Sequence, residues 1–299
     1  MLKKTRPDGT LIKKLPAFTL LLPYLLPSRK DATIYYEQEV DVTETLPFIK
    51  EFNREFIKER QILTLFDVVI CAVVRAIALR PRVNRFISGR RYWQRNEISC
   101  NFVAKKELTD DGQEVNVKIA FDPALTLANG ARLIKQRIRA ATEDSGIENE
   151  AVVETLAKLP DFLLRLLIGG MNWLDSKNLM LPSLIESDPM WCSVFLTNVG
   201  SFGLDAPYHH LFERGNCPIF LAVGKVRKQA VLQDDGSLTQ RKILVLRYSY
   251  DERVAEGVYM GRTLDLVRTL IENPAGLVQP PELSAETVAE LQLKPLPRI

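Results

Sequence analysis

The side chains able to move protons or hold charge fall into three short clusters. The first is His209-His210, the two histidines of the chain, in the segment His-His-Leu-Phe-Glu-Arg-Gly215. Imidazole is the side chain whose ordinary pKa suits proton transfer near neutrality, so a histidine mechanism has these two residues to draw on. The second is Thr197-Asn198, which closes an apolar run and is followed by Gly200 and Gly203. A hydroxyl there can donate to a developing oxyanion. The third is Asp251-Glu252-Arg253, with Glu256-Gly257 just beyond, at the end of the run Leu246-Arg-Tyr-Ser-Tyr. Carboxylates so placed can act as bases or hold a neighbouring cation. Polar clusters beside glycine at strand ends are where α/β proteins put their sites.

Other chemistries find no support. Cys71, Cys100, Cys192 and Cys217 are scattered, with no C-x-x-C and no cysteine–histidine spacing, so no metal is expected. Cys71, Cys100 and Cys192 sit in apolar or alternating runs and read as reduced core thiols, as in a reducing cytoplasm. There is no G-x-S-x-G elbow, H-E-x-x-H helix or early glycine-rich phosphate loop. Lys+Arg is 40 and Asp+Glu is 37, and a net charge of +3 gives no footprint for nucleic acid. With 46% hydrophobic residues over 299 positions, a sizeable core is expected. No leader peptide or membrane span is read. The run Phe18 to Pro27 is short and holds prolines, and Leu156 to Leu174 carries Lys158, Asp161 and Arg165.

Strands and helices must position these clusters. Alternation predicts strands over Thr33–Val42, Phe86–Ser88, Ile98–Val103, Val115–Ile119, Cys192–Thr197, Ile219–Val226 and Ile243–Tyr250. Turns are expected at Asp110-Asp-Gly112 and Asp234-Asp-Gly236. Helical spacing predicts a helix capped by Asp41 or Thr43 and running to Glu59. Others are Val68–Ala78, started by Thr64 or Asp67 and buried all round, Leu125–Thr142, and Val258–Glu272. Residues 147–187 read as helical, broken at Gly169-Gly170. Residues 1–30 form a basic, proline-punctuated arm, in which Lys3, Lys4, Arg6, Lys13, Lys14, Arg29 and Lys30 face one acid, Asp8. The arm is expected either to pack through Phe18 to Leu26 or to meet an anionic surface. Residues 276–299 form a proline-rich tail.

Three segments together carry a resemblance. Val194-Phe-Leu-Thr-Asn-Val-Gly200 is similar to the strand pattern F-T-x-S-N-x-G, and Pro218-Ile-Phe-Leu-Ala-Val-Gly-Lys225 to P-x-x-A-I-L-A-V-G. Ser249-Tyr-Asp-Glu-Arg-Val-Ala-Glu-Gly257 is similar to S-x-D-H-R-V-x-D-G. These belong to the catalytic domain of the dihydrolipoamide acyltransferase component of 2-oxo-acid dehydrogenase complexes. The resemblance implies a chloramphenicol-acetyltransferase-like two-layer α/β sandwich over residues 31–275, with a mixed sheet, flanking helices and a helical insertion at about 147–187. It implies a homotrimer with the site between subunits, and coenzyme A or acyl-CoA as substrate. No lipoyl attachment domain, linker or subunit-binding domain is read ahead of the core. A weaker likeness of the histidine pair to the HHxxxDG signature of condensation-type acyltransferases fails at Arg214, where aspartate is needed.

By resemblance Thr197 takes the place of the oxyanion-stabilising serine, and Glu256 that of the motif aspartate. Asn198, Asp251, Arg253 and Gly257 support the motif. Glu252 stands where the family has its basic histidine. By ordinary pKa values, passing a thiol proton to histidine costs about 2.7 kcal/mol and to glutamate about 5.7 kcal/mol. The difference of about 3 kcal/mol is on the order of a hundredfold in rate. His209 and His210 are the candidates for rescuing the base. The reading is therefore an acyltransferase acting on a small thiol, hydroxyl or amine with an altered base. The alternatives are an inactive trimeric scaffold or acyl-CoA-binding pseudoenzyme, and a membrane-peripheral assembly protein using the basic arm and residues 156–174.

Overall fold

The computed structural model describes residues 5–59, 61–105, 112, 114–143 and 158–295. In chain order the strands are β1 (Thr5–Arg6), β2 (Gly9–Leu11), β3 (Thr33–Asp41), β4 (Arg85–Ser88), β5 (Arg91–Arg95), β6 (Ile98–Lys105), β7 (Glu114–Phe121), β8 (Val194–Asn198), β9 (Ile219–Leu232) and β10 (Leu238–Asp251). The helices are α1 (Ala17–Leu25), α2 (Thr45–Phe56), α3 (Leu65–Leu79), α4 (Leu127–Glu143), α5 (Asp161–Ser176), α6 (Pro182–Ser187), α7 (Gly257–Glu272) and α8 (Ala285–Leu291).

Six strands form the main sheet in the order β3-β10-β9-β8-β6-β7. The β6–β8 and β8–β9 pairs are parallel and the others antiparallel, so the sheet is mixed. Strand side chains alternate between faces. Val40, Phe102, Ile119, Leu196, Leu221 and Leu246 point to one face, where they join a single core with α3, α4 and α7. This is the two-layer α/β sandwich expected from the sequence.

Helix α3 runs through that core, with Asp67 to Ala78 all buried. A capping box starts it. The Thr64 amide donates to Asp67 Oδ2 at 2.8 Å, and the Asp67 amide donates back to Thr64 Oγ1 at 3.3 Å. The one cation inside, Arg75, donates to the carbonyls of Gly276, Leu125 and Gln279 at 2.7–3.0 Å. A buried guanidinium is tolerated when its donors are met in this way.

A second sheet, β1-β2-β5-β4, was not read from the sequence beyond the segment of β4. It is fixed by charge. Arg6 donates to Asp8 Oδ1 at 2.5 Å and to Asp175 Oδ1 of α5 at 2.6 Å. Asn216 donates to Asp8 Oδ2 at 2.6 Å, and Arg95 to Asn216 Oδ1 at 2.7 Å. The N-terminal segment thus packs through Arg6 and Asp8, while Phe18, Leu21 and Leu25 stay exposed. Helix α1 continues through Pro23, which has no N–H to give Thr19 O. The Tyr92 hydroxyl donates to that oxygen instead, at 2.9 Å.

Other expectations are corrected. Helix α5 passes through Gly169 and Gly170 without a break. No cap comes from Asp41 or Thr43, because α2 starts at Thr45 with no side-chain cap bond. Strands β9 and β10 extend well past Val226 and before Ile243 as a hairpin around Asp234–Gly236, where Gly236 has φ +81°. Most of its residues face solvent, so no alternation marked them. The expected turn at Asp110-Asp111 and the helical reading of 147–157 lie outside the described residues.

Candidate active site at the strand ends

The second face of the main sheet carries Thr197, Ala222, Arg247 and Glu37 as one row across four neighbouring strands. Thr197 is half-buried near the end of β8. A 3-10 turn follows at Val199–Phe202 and ends at Gly203, with φ +76°. Gly200 makes the turn fit. A Cβ there would lie 2.3 Å from Gly224 O of β9, so the two backbones touch. The Lys225 amide donates to Leu204 O at 2.9 Å and closes the loop onto β9. Asn198 is half-buried, and its carbonyl accepts from Ser201 Oγ at 2.7 Å. Arg247, which sequence reasoning passed over, donates to Glu37 Oε2 at 2.6 Å and to Ala206 O, and lies 4.5 Å from the Tyr208 ring centroid. An arginine inside the apolar alternation of Leu244–Tyr250 was the signal available.

The third cluster closes β10. Asp251 and Arg253 are both buried and form a bidentate pair, Nε to Oδ1 at 2.8 Å and Nη2 to Oδ2 at 2.6 Å. Arg253 also donates to Leu26 O at 2.6 Å, and the Asp251 amide to Pro218 O at 2.9 Å. Burial pulls the Arg253 pKa down, but Asp251 outweighs it and holds it above the usual arginine value. Between them Glu252 turns outward, exposed, its amide bonded to Ala32 O at 2.9 Å. Burial, with the Glu252 carboxylate and Tyr36 adding to it, pushes the Tyr250 phenol up. Glu256 is the exposed residue before α7, and its carbonyl accepts from the Met260 amide. Gly257 opens the helix.

His209 lies flat on Phe220 of β9, with ring centroids 3.9 Å apart and planes 5° from parallel. Its Nδ1 is 2.7 Å from His210 O. Burial pushes its pKa below the ordinary histidine value, so the ring is neutral at neutral pH. His210 is exposed and stacks on His209 at 4.7 Å. The loop is held from beneath by buried Arg29, which donates to the carbonyls of Phe212, Glu213 and Gly215 at 2.5–3.1 Å. Two buried free thiols pack with Phe220 and Leu211 beneath the loop, Cys192 Sγ lying 3.5 Å from Cys217 Sγ.

The clusters do not converge within one chain. Thr197 is level with Ala222 and Arg247, and Glu252 lies five positions beyond Arg247, roughly 17 Å along the strand direction. His209 stacks at the level of Phe220, between them along the strands. What each end offers is separate: a half-buried hydroxyl two strands from a guanidinium at one, a solvent-facing carboxylate on a rigid buried ion pair at the other.

The sequence profile of the 2-oxoacid dehydrogenases acyltransferase (catalytic domain) family matches residues 187–279. The chain resembles that catalytic domain. The matched segment contains both strand ends, Thr197 and Glu252, and the helix behind them. No curated protein matches the chain. Among solved structures, the cubic core of the pyruvate dehydrogenase multienzyme complex is similar at 17% identity and TM-score 0.58, over 89% of this chain and 93% of that one. A probable dihydrolipoamide acetyltransferase from Listeria monocytogenes is similar at 18% identity and TM-score 0.56, over 87% and 94%. Chloramphenicol acetyltransferase is similar at 12% identity and TM-score 0.52, over 89% and 98%. At such identities the likeness is one of fold, and the fold expected from the three motifs is the one observed.

Proposed function

We propose that the protein is a CoA-dependent acyltransferase whose centre forms between copies of the chain, Glu252 of one facing Thr197 of the next. The offset of roughly 17 Å between these residues along the sheet carries this reading. The hydroxyl half of the motif pair survives as Thr197 and the base half is changed to Glu252, and a second copy laid on the second sheet face would bring the two halves together. Tyr35, Phe202, Leu204 and Tyr208 are each at least half exposed at that end of the sheet, apolar area that subunit packing would cover. A homotrimer is the smallest assembly the resemblance implies.

In this reading Glu252 takes the proton from a thiol, hydroxyl or amine acceptor, whose lone pair attacks the acyl carbonyl carbon of the CoA thioester. Thr197 Oγ–H donates to the carbonyl oxygen as it gains charge. Collapse breaks the C–S bond, and CoA leaves with the proton that Glu252 returns. Asp251 and Arg253 act as positioning residues that fix the turn carrying Glu252. His209, nearer the Thr197 level and stacked with His210, is placed to share the base role.

The test is acetyl-CoA turnover over a panel of small acceptors. Glu252→Gln is expected to abolish CoA release, and turnover unchanged by that substitution overturns the assigned role. One observation favours a second reading, an acyl-CoA-binding pseudoenzyme. The Glu252 carboxylate is exposed and accepts no hydrogen bond among the described residues, so nothing within one chain orients it toward an acceptor. Saturable CoA binding by calorimetry without turnover supports that reading over the first.

A further inference from the structure

Helices α1 and α5 turn apolar side chains to solvent where surface helices carry charge. On α5, Phe162, Leu166 and Trp173 follow one helical stripe and are 68%, 71% and 57% exposed. On α1, Phe18, Leu21 and Leu25 do the same. Both helices touch one hairpin, the β4–β5 turn. Arg90 lies 5.3 Å from the Tyr24 ring of α1, and Arg91 donates to Ser176 O of α5 at 3.0 Å.

The carboxylates on these helices are paired, and the charges left unpaired beside them are cations. Residues 9–30 and 85–95 contain no Asp or Glu, and residues 162–184 contain only Asp175, which is buried against Arg6. Asp161, at the start of α5, is paired with Arg165 at 2.8 Å. Lys13, Lys14, Arg90 and Lys177 are exposed and pair with no carboxylate among the described residues. No described helix is long and apolar enough to cross a membrane.

We propose that α1, α5 and the β4–β5 turn form a docking surface for an anionic lipid bilayer. Phe18, Leu21, Phe162, Leu166 and Trp173 would enter the headgroup–acyl boundary, and Lys13, Lys14, Arg90 and Lys177 would meet lipid phosphates. Leucine, phenylalanine and tryptophan beside unpaired cations is the composition of helices that lie in a membrane interface. Self-pairing of this surface would bring cations together with no carboxylate to answer them, so a second copy is the poorer occupant. The proposal does not depend on the acyltransferase reading.

The full chain is mixed with phosphatidylcholine vesicles with and without phosphatidylglycerol. Trp93 and Trp191 are buried, so Trp173 is the tryptophan able to report. Sedimentation with the anionic vesicles is expected, with a blue shift of tryptophan emission and protection from acrylamide. Lys13→Glu with Lys14→Glu should weaken binding at least about thirtyfold at low salt. Leu166→Asp should abolish it with circular dichroism unchanged. The proposal is overturned if wild-type protein ignores anionic vesicles, or if its tryptophan emission does not move with them. It is also overturned if Leu166→Asp leaves lipid binding intact but lowers the particle mass by light scattering, which would make the surface a subunit contact. The wild-type fluorescence readout stands even if a variant fails to fold.

Discussion

Thr197 and Glu252 stand at different levels of one sheet, Thr197 in register with Ala222 and Arg247, and Glu252 five positions past Arg247. Their separation of roughly 17 Å along the strands is far from the ~3 Å at which a base and an oxyanion donor serve one reacting carbonyl. Two such residues serve one centre only when different copies of the chain supply them.

Complementation follows from that geometry. Thr197→Ala and Glu252→Gln chains should each be inactive alone. Mixed after joint refolding, they should regain roughly a quarter of wild-type turnover, because random mixing restores one intact Thr197–Glu252 pairing in four. A centre contained within one chain gives no recovery. CoA release from the mixture, compared with each variant alone, decides between the two arrangements.

The base itself can be exchanged. Replacing Glu252 with histidine restores the side chain that the resembled motif carries. The proton-transfer difference of about 3 kcal/mol predicts a gain of up to about a hundredfold in kcat for a thiol acceptor near neutral pH. A plot of kcat against pH should then bend near the ordinary histidine range. His209→Ala in the wild-type background should lower activity only if the imidazole shares the base role.

Much of the main sheet was legible because its strands alternate and its helices are apolar at helical spacing. Thr64 and Asp67 gave the start of α3 because a capping box is local in sequence. The small sheet was not legible. Arg91 to Arg95 has a charge at each end, and its environment is set by distant residues: Asp175 lies 169 positions from Arg6, and Asn216 lies 121 from Arg95. The strand-end clusters were visible as polar residues after apolar runs. Their separation was not, because register is a property of strand pairing.

Asp8 should control the acid limb of stability. Burial alone would raise its pKa, but Arg6 and Arg95 outweigh burial and hold it below the usual carboxylate range. A carboxylate lowered in the folded state contributes stability that is complete above its unfolded value. That contribution is lost as pH falls through the folded one. Asp8→Asn should cost about 3 kcal/mol at neutral pH and flatten the loss of stability below about pH 4. Urea melts at stepped pH values check this. An acid limb as steep in the variant as in the wild type would assign it to other groups.

Gly200 and Gly169 predict opposite outcomes for the same substitution. At Gly200 a Cβ would stand 2.3 Å from Gly224 O and 2.5 Å from Gly224 C, and neither backbone can retreat without parting the β8–β9 pair. Gly200→Ala should therefore destabilise by about 1–3 kcal/mol. It should also cost activity beyond that loss, because Thr197 lies three residues upstream on the strand that must shift. At Gly169, in the middle of α5, nothing lies within 4 Å of the added methyl. Gly169→Ala should stabilise by up to about 1 kcal/mol through helix propensity and leave acyl transfer unchanged. Thermal melts of both variants with turnover at a temperature where both are folded separate the two effects. A Gly200→Ala protein that melts and turns over like wild type would mean that the turn after β8 does not hold Thr197 in place.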